Sequence, residues 1–250
     1  MQEMNEVSLA RRWQFLPHPI AALYQSTFLI RRALFKKLKP IAQEMGGDIL
    51  DFGCGSKPYR SLFSACTSYI GVDIAVSGHD HADSNVDIYY DGHKLPFDDG
   101  AFDAIVAFEV FEHVFNIDEL LQELKRVLRP GGRILLTLPF AWGEHEAPYD
   151  FARYTSFGIR SVIERNGMVV HSIEKTNASV EAIQQLWLAY IDLRLLRPFG
   201  LFGKVVRVPI AAVMNLAAIV LGRILPEDGT FYSNLVIQAD RPLDAAAAAA

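Results

Sequence analysis

The segment Ile49–Gly55, with the sequence ILDFGCG, constrains the fold of this chain more than any other part of it. A short apolar run meets an acid there, and a Gly-x-Gly turn follows at once. The next apolar run, SYIGVD, ends in a second acid, Asp73. This order predicts a strand, a tight turn and a second strand, which form the nucleoside-binding crevice of an α/β sheet. The glycines let the backbone approach a ligand closely, and the Asp73 carboxylate can accept hydrogen bonds from both ribose hydroxyls.

The acid before the glycines narrows the choice of nucleoside ligand. A dinucleotide fingerprint reads G-x-G-x-x-G, but here Gly53-Cys54-Gly55 is followed by Ser56-Lys57-Pro58, so the third glycine is missing. A carboxylate at Asp51 would repel a pyrophosphate and attract a cationic group, such as a sulfonium next to an ammonium. S-adenosylmethionine is the ligand that meets this requirement. A nicotinamide-dependent oxidoreductase is the runner-up, and Asp51 and Pro58 count against it.

Three later segments follow in a characteristic order. They read DGHKLPF at residues 91–97, AFDAIVAFEVFEHV at 101–114 and LKRVLRPGGRILLTLPF at 124–140. Together with the first two motifs they resemble the class I S-adenosylmethionine-dependent methyltransferases, in particular the bacterial enzymes of small-molecule and glycan pathways. The resemblance covers about Gly46 to Val170 and implies S-adenosyl-L-methionine as the cofactor. It also implies a Rossmann-like α/β fold, a seven-stranded, mostly parallel sheet with helices on both faces and an antiparallel last strand.

The resemblance also implies which residues bind the cofactor. The first glycine turn lines its methionine part, and the Tyr59 ring covers it in place of a further glycine. Asp73 holds the ribose hydroxyls with Ile74 against the adenine, and Asp91 accepts a hydrogen bond from the adenine amino group. The end of the fourth strand forms the floor under the reactive sulfur. The full set is Asp51, Gly53, Cys54, Gly55, Tyr59, Asp73, Ile74, Asp91, Gly92, Phe108 and Glu109.

The charge and cysteine content limit the partners of the chain. Its 250 residues carry 24 basic and 29 acidic side chains, which gives a net charge of −5. A nucleic-acid partner needs a strongly basic face, so we expect no nucleic acid and a small-molecule acceptor instead. The two cysteines provide no disulfide framework and no metal-ligand pattern. The amino-terminal sequence lacks the apolar core of a signal peptide, and we expect a cytoplasmic protein.

Two regions lie outside the predicted alternation of strands and helices. Residues 1–45 are predicted to form helices, ended or kinked at Pro40, which act as a lid over the cofactor cleft or pack against the sheet edge. The methyltransferase domain, 46–244, is interrupted by the insertion 177–229 between its sixth and seventh strands, and residues 245–250 are a tail. Within the domain, Gly131-Gly132 is expected to end the helix before the fifth strand.

The insertion 177–229 contains two strongly apolar stretches, Val180–Leu196 and Val205–Leu225. A membrane-spanning helix needs about 20 apolar residues with few charges, and Arg207 and Pro209 near the start of the second stretch count against spanning. Three alternatives stay open. The insertion is a cap over the substrate pocket, a homodimer surface, or a peripheral contact with the inner face of the membrane, supported by nearby basic side chains.

The loop after the predicted fifth strand is the expected place of the chemistry, since ligands in open α/β sheets bind beyond the carboxyl ends of the strands. An oxygen acceptor must lose its proton, and His145 is the first candidate for the general base because an imidazole titrates near neutrality. His113, in the phrase FEHV, is the second candidate. We expect Asp150 and Arg153 to pair and fix the loop. We expect no metal, because adjacent side chains on the extended stretch 144–146 point in opposite directions.

The sequence therefore predicts an S-adenosylmethionine-dependent methyltransferase that O-methylates a small molecule, a sugar or a lipid-linked intermediate. The alternative is a protein that binds S-adenosylmethionine without catalysis, as a partner in a biosynthetic complex. The acids at positions 51, 73 and 91 indicate cofactor binding under both hypotheses and do not separate them.

Overall fold

The computed structural model describes residues 15–75 and 84–243 of the chain. The start of the predicted amino-terminal extension and the predicted tail lie outside these residues. Within them, seven strands form one sheet in the spatial order β3-β2-β1-β4-β5-β7-β6. The strands are β1 Gly47–Phe52, β2 Cys66–Ile74, β3 Ile88–Tyr90, β4 Phe102–Phe108, β5 Leu128–Pro139, β6 Val169–Ala178 and β7 Tyr232–Asp240.

The strand directions agree with the sequence expectation. Strands β1 to β5 pair in parallel where they are neighbours, whereas β7 runs antiparallel to β5. The central strands β4 and β5 are buried over most of their length, as parallel strands are when both faces of a sheet are covered. The predicted α/β class, with a seven-stranded and mostly parallel Rossmann-like sheet, is confirmed.

Helices alternate with the strands and bury one face each. Helix α2 places Leu120, Leu121, Leu124 and Val127 in the core, which is the spacing of one helix face. Helix α3 begins at Ser156, and the hydroxyl oxygen of the preceding Thr155 caps it by accepting a hydrogen bond from the Gly158 N–H at 3.0 Å. The helices are α1 Phe28–Glu44, α2 Ile117–Val127, α3 Ser156–Arg165, α4 Val180–Tyr190 and α5 Gly200–Ile224.

Helix α1 does not end at Pro40, so the prediction that it ends there was wrong, and the alternative, a kink at Pro40, stays a prediction. The helix runs on to Glu44 with Pro40 inside it. A proline removes one backbone hydrogen bond from a helix. Leu38 and Ala42, on either side of Pro40, are both fully buried. Packing of the apolar face on both sides of the proline therefore holds the helix together.

The predicted helix stop at Gly131-Gly132 was also wrong. Helix α2 ends earlier, at Val127, and β5 begins directly at Leu128. Gly131 N–H donates to the Arg241 carbonyl at 2.8 Å, and Arg241 N–H donates to the Gly132 carbonyl at 3.0 Å. The glycines therefore belong to a strand that pairs with the chain just after β7, rather than to the end of a helix.

The described residues fall into two compact units. The first, which we call the sheet unit, comprises 38–174 and 234–243 and contains β1 to β5. The second, the helical unit, comprises 15–37 and 175–233. The sequence treated the amino-terminal extension and the insertion 177–229 as separate regions. Much of both belongs to this one helical unit.

Buried polar side chains join the two segments of the helical unit. The Asn215 side-chain amide on α5 donates to the carbonyls of Ala22 at 2.8 Å and Gln25 at 3.1 Å. The Gln185 amide on α4 donates to the Ser26 carbonyl at 2.6 Å. Both amide side chains are fully buried. These bonds hold the turn before α1 against α4 and α5.

The apolar stretches of the insertion form helices with boundaries that differ from the prediction. Helix α4 ends at Tyr190, and a π-helical turn, Ile191–Leu196, continues it. Helix α5 begins at Gly200 and contains Pro209. Among the described residues, the helical run Val180–Ile224 is the one long and apolar enough to cross a membrane. In its most apolar 18-residue window, 17% of the residues are buried.

Candidate active site

Acidic residues collect at the carboxyl edge of the parallel strands. Asp51 lies near the end of β1 and Asp73 near the end of β2. Asp91 directly follows β3, and Glu109 directly follows β4. Because these strands run parallel, their carboxyl ends meet at one edge of the sheet, which is where open α/β sheets bind ligands.

The glycine turn is bonded to the acid of the second strand. Gly55 N–H donates to Asp73 Oδ2 at 2.9 Å, and Ile74 N–H donates to Asp73 Oδ1 at 2.8 Å. Gly53 has a φ of 67°, and a Cβ there would come within 2.5 Å of the Val110 side chain. Only glycine therefore fits at position 53, and the turn holds the Asp73 carboxylate in one orientation.

Space for a ligand lies next to two of the predicted glycines. No atom of the described residues comes within 4 Å of a Cβ placed on Gly55 or Gly92. Both glycines have positive φ, 47° for Gly55 and 85° for Gly92. The backbone at both positions is therefore open to close approach, as the resemblance requires of a cofactor site.

Asp51 is buried and carries an unusual pKa. It is 2% exposed, and its Oδ2 accepts a hydrogen bond from the Tyr69 hydroxyl at 2.7 Å. Burial raises the pKa of Asp51 to about 7, although the Tyr69 hydrogen bond and the Lys57 charge both act to lower it. A cation placed near this carboxylate would favour its ionised form. The site thus fits the sulfonium and ammonium groups of S-adenosylmethionine.

Two predicted cofactor residues have buried side chains. The Cys54 thiol is 3% exposed, and burial raises its pKa, so it stays protonated. The Tyr59 ring packs edge-on against the Phe108 ring, with 4.8 Å between centroids. Contact between Cys54 and the cofactor, and covering of the cofactor by Tyr59, both stay predictions.

Asp91 is organised by its own turn. Its Oδ1 accepts hydrogen bonds from the backbone N–H groups of His93 at 2.9 Å and Lys94 at 3.1 Å. These two bonds lower the pKa of Asp91, so the side chain is a carboxylate at neutral pH. The exposed carboxylate retains acceptor capacity for an amino group, which is the role that the resemblance implies.

Glu109 holds a backbone conformation that is rare for its residue type. Its φ is 57°, and such left-handed residues concentrate at functional sites. The Glu109 N–H donates to the Thr137 carbonyl at 3.0 Å, and its Oε2 accepts from the Asn234 amide at 2.7 Å. The turn after β4 is therefore fastened to β5 and β7.

The loop after β5 is fixed by the predicted pair of Asp150 and Arg153. The Arg153 guanidinium donates to both Asp150 oxygens, at 2.5 and 2.6 Å. Burial acts to raise the pKa of Asp150, but hydrogen bonds from Arg153 and from the His145 backbone lower it to about 2. Arg153 also donates to the Gly143 carbonyl at 3.2 Å. The expectation that this pair fixes the loop agrees with these contacts.

The structure brings the two predicted catalytic histidines together. The rings of His113 and His145 lie with centroids 4.8 Å apart in an edge-on arrangement. Glu112, next to His113, is fully buried, and its backbone carbonyl accepts from the N–H groups of Phe151 and Ala152. Burial, together with the charge of Glu109, raises the pKa of Glu112. The sequence reasoning gave Glu112 no role, although the spacing E-x-x-E-H at 109–113 was a signal for it.

Comparison with known proteins covers the segment that forms this edge. A sequence model described as a methyltransferase domain matches residues 50–136, a segment that contains the glycine turn, Asp73, Asp91 and Glu109. The predicted resemblance of this segment to the class I S-adenosylmethionine-dependent methyltransferases is confirmed. The same match supports the predicted cofactor, S-adenosylmethionine. The matched segment lies within the sheet unit.

Curated relatives match this chain over part of its length. A protein named as a probable S-adenosylmethionine-dependent methyltransferase of Mycolicibacterium smegmatis is 33% identical over 99 residues, which cover 38% of each chain. The 27-O-demethylrifamycin SV methyltransferase of Amycolatopsis mediterranei is 30% identical over 103 residues, 36% of this chain and 38% of the relative. The matches therefore span about two fifths of these relatives.

Solved structures share the fold. A geranyl diphosphate methyltransferase in complex with S-adenosylmethionine superposes with a TM-score of 0.56. That match covers 89% of this chain and 95% of the other, at 18% sequence identity. At this identity the likeness supports the fold of the chain and carries nothing about its substrate.

Proposed function

We propose that this protein transfers a methyl group from S-adenosylmethionine to a hydroxyl oxygen of a small, largely apolar acceptor. The observation that carries the proposal is the edge where the buried Asp51, the amide-bound Asp73 and the open turn at Gly55 converge. Asp51 matches the cationic methionine part, which a dinucleotide lacks, and Asp73 matches the ribose that both kinds of cofactor contain. The same edge leads into the loop with His145.

Three acidic residues bind different parts of the cofactor. When bound, the cofactor supplies a methyl group on a sulfonium. Asp51 offers a buried negative charge to the cationic end, Asp73 accepts from the ribose hydroxyls, and Asp91 accepts from the adenine amino group. Such fixed placement is the main contribution of the protein, since orientation alone can lower a barrier by about 7–11 kcal/mol.

An oxygen acceptor must also lose a proton when its new bond to carbon forms. His113, on the short helix after β4, and His145, in the loop after β5, are the candidate groups for this proton. His113 Nδ1 donates to the Tyr149 carbonyl at 2.8 Å, so its Nε2 atom is the one left for a ligand, whereas His145 Nδ1 lies 3.2 Å from Asp150. A positioned base contributes about 10²–10⁴-fold to a rate.

The name of one relative, the 27-O-demethylrifamycin SV methyltransferase, supports an oxygen acceptor. The loop that faces the proposed acceptor carries exposed aromatic rings at Tyr149 and Phe151. Aromatic rings of this kind present apolar surface to a ligand.

The test is a methyl-transfer assay on a panel of hydroxylated probes. We would incubate the protein with S-adenosylmethionine and geranylgeraniol, 1-naphthol or glucose, and measure methylated product and S-adenosylhomocysteine by mass spectrometry. The proposal predicts product from an apolar probe, lost in Asp73→Ala. Cofactor binding without turnover on any probe would favour the non-catalytic alternative.

We further propose that the helical unit contacts a membrane that contains anionic lipid. Helix α5 buries small or polar residues, Gly203, Ala211, Asn215 and Ala218, on one face. Its opposite face exposes large apolar side chains, which are Leu201, Phe202, Val205, Val208, Val213, Leu216, Val220 and Ile224. Helices that pack together within lipid have the same arrangement, because their contact faces carry small and polar residues and their outer faces carry large apolar ones.

Basic and aromatic side chains near α5 also support contact with a membrane. Arg194, Arg197 and Lys204 are exposed around the turn between α4 and α5, and basic groups there attract anionic lipid. Trp187 and Tyr190 on α4 are 57% and 49% exposed, and their rings stack with centroids 5.6 Å apart. Such aromatic side chains favour the membrane interface. An apolar acceptor dissolved in lipid would be available at this surface.

Vesicle sedimentation tests this contact. The protein should sediment with vesicles of phosphatidylcholine and phosphatidylglycerol, and less with phosphatidylcholine alone. Leu216→Glu should abolish sedimentation. Phe157→Glu, which changes a residue 82% exposed on α3 of the sheet unit, is the matched control and should sediment normally. A stable dimer in solution that ignores vesicles would show instead that a second copy covers α5.

A further inference from the structure

Three side chains of the sheet unit converge next to the loop after β5. Each of Glu112, His113 and His145 offers one ligand atom, and these atoms all lie within 4.8 Å of one another. Glu112 and His113 come from the short helix after β4, whereas His145 comes from the loop after β5. A fourth group lies close by, since Glu146 Oε2 is 3.8 Å from His113 Nε2.

Polar groups hold both imidazoles in place through Nδ1. The carbonyl of Tyr149 can only accept, so His113 Nδ1, at 2.8 Å, carries a hydrogen and donates it. The His113 Nε2 atom therefore keeps its lone pair. His145 Nδ1 lies 3.2 Å from Asp150 Oδ2 and 3.4 Å from Arg153 Nη2, and Arg153 and the His145 backbone N–H hold that carboxylate in place. Metal-ligating histidines are almost always held by a carbonyl or carboxylate at their second nitrogen.

The buried carboxylate of Glu112 also indicates that a ligand binds in this cluster, independently of the distances between the three side chains. Its side chain is fully buried, and neither carboxylate oxygen has a hydrogen-bond partner among the described residues. A buried carboxylate without donors is costly. Its Oε1 faces His113 Nε2 at 3.7 Å, so the unpartnered carboxylate is directed into the cluster. A bound cation would satisfy the oxygens and balance the charge.

We propose that Glu112, His113 and His145 bind a divalent cation of the manganese-to-zinc series. Two imidazoles and one carboxylate suit these ions better than magnesium or calcium, which prefer oxygen ligands throughout. Bonds of about 2.0–2.2 Å bring ligand atoms roughly 3–4 Å apart, so binding draws the three side chains together by about 1 Å. Three protein ligands leave open positions on the ion for an exogenous oxygen.

The proposal rests on the proposed methyl transfer and specifies its acceptor. The open positions bind the acceptor hydroxyl, and a second adjacent hydroxyl where the acceptor is a diol. The cation lowers the pKa of the bound hydroxyl. The O–H bond breaks and its proton leaves to solvent, and the new O–CH₃ bond forms as the donor's S–CH₃ bond breaks. The cation then takes the place of an imidazole base, and both histidines act as its ligands.

Metal binding is measured without cofactor or acceptor, so its result is independent of methyl transfer. We would strip the full chain with a chelator and titrate Mn²⁺, Zn²⁺, Co²⁺ and Mg²⁺ by calorimetry, with the visible absorption of Co²⁺ as a second readout. One site per chain is expected, weakest for Mg²⁺. Glu112→Gln and His145→Ala should each weaken it by about 100-fold or more, beyond the 10–100-fold that loss of an outer partner costs.

The control for metal binding is a histidine–carboxylate pair that lies outside the Glu112–His113–His145 cluster. His171 Nε2 lies 2.6 Å from Asp240 Oδ2 on an exposed part of the sheet, and His171→Ala should leave metal binding unchanged. Failure of the wild-type protein to bind, or equal loss in His171→Ala, would overturn the site. Retained methyl transfer by chelator-treated protein would overturn the catalytic use of the ion and leave the imidazole base.

Discussion

Replacing Asp51 by asparagine should stabilise the free protein, and the gain should depend on pH. Burial raises the pKa of Asp51 from an ordinary value of 3.8 to about 7. Because the folded pKa is the higher one, the folded state binds the proton more tightly, and stability falls as pH rises from about 4 to 7. With 1.36 kcal/mol for each unit of pKa, the ionised carboxylate costs the fold about 4 kcal/mol above pH 7. Asparagine avoids that cost and can still accept from Tyr69.

Thermal unfolding of both proteins between pH 5 and pH 8 measures the effect. The Asp51→Asn variant should melt about 8–16 °C higher at pH 8, with a difference that shrinks towards pH 5. Asp118→Asn is the control, because an exposed carboxylate whose pKa Arg165 and Asn166 lower should lose stability when it is replaced. A difference between Asp51→Asn and wild type that does not change with pH, or a variant that melts lower at pH 8, would refute the reasoning. The same variant should bind S-adenosylmethionine more weakly.

Two further predictions concern the glycine turn and the helical unit. Gly53→Ala should lower the free energy of unfolding by more than about 1 kcal/mol, because its φ is positive and Val110 occupies the Cβ position. Chemical denaturation should then show partial rescue in Gly53→Ala/Val110→Ala, and no rescue would contradict the clash. Asn215→Ala should cost about 1–3 kcal/mol in thermal unfolding, since it removes a donor from the part-buried carbonyls of Ala22 and Gln25. An unchanged melting temperature would contradict that role.

Local pattern predicted the part of the fold that forms the cofactor edge. The apolar runs that precede Asp51 and Asp73 form strands, because parallel strands buried on both faces need continuous apolar sequence. The sequence pattern gave a wrong prediction where tertiary packing overrides the local helix propensity. Pro40 lies inside a helix because Leu38 and Ala42 are buried on either side of it.

Long-range contacts explain what the sequence could not reveal. The amino-terminal segment and the insertion share one unit through bonds such as that of Gln185 to Ser26, which lie far apart in the chain. Glu112 was missed for the same reason. Its carboxylate acquires significance from being buried without a donor beside His145, a residue of another loop. The spacing E-x-x-E-H at 109–113 signals a role for Glu112, but it does not reveal that the carboxylate is buried or that it lies near His145.

Calorimetric titration with S-adenosylmethionine and with NADH tests the central claim most directly. The account predicts one S-adenosylmethionine site per chain, no NADH binding, and a loss of about 10–100-fold in Asp73→Ala, because hydrogen bonds to a charged group contribute about 1.5–3 kcal/mol. Asp99→Ala, a change at an acid whose side chain is 80% exposed, should bind normally. Binding of NADH, or equal affinity of wild type and Asp73→Ala for S-adenosylmethionine, would contradict the account.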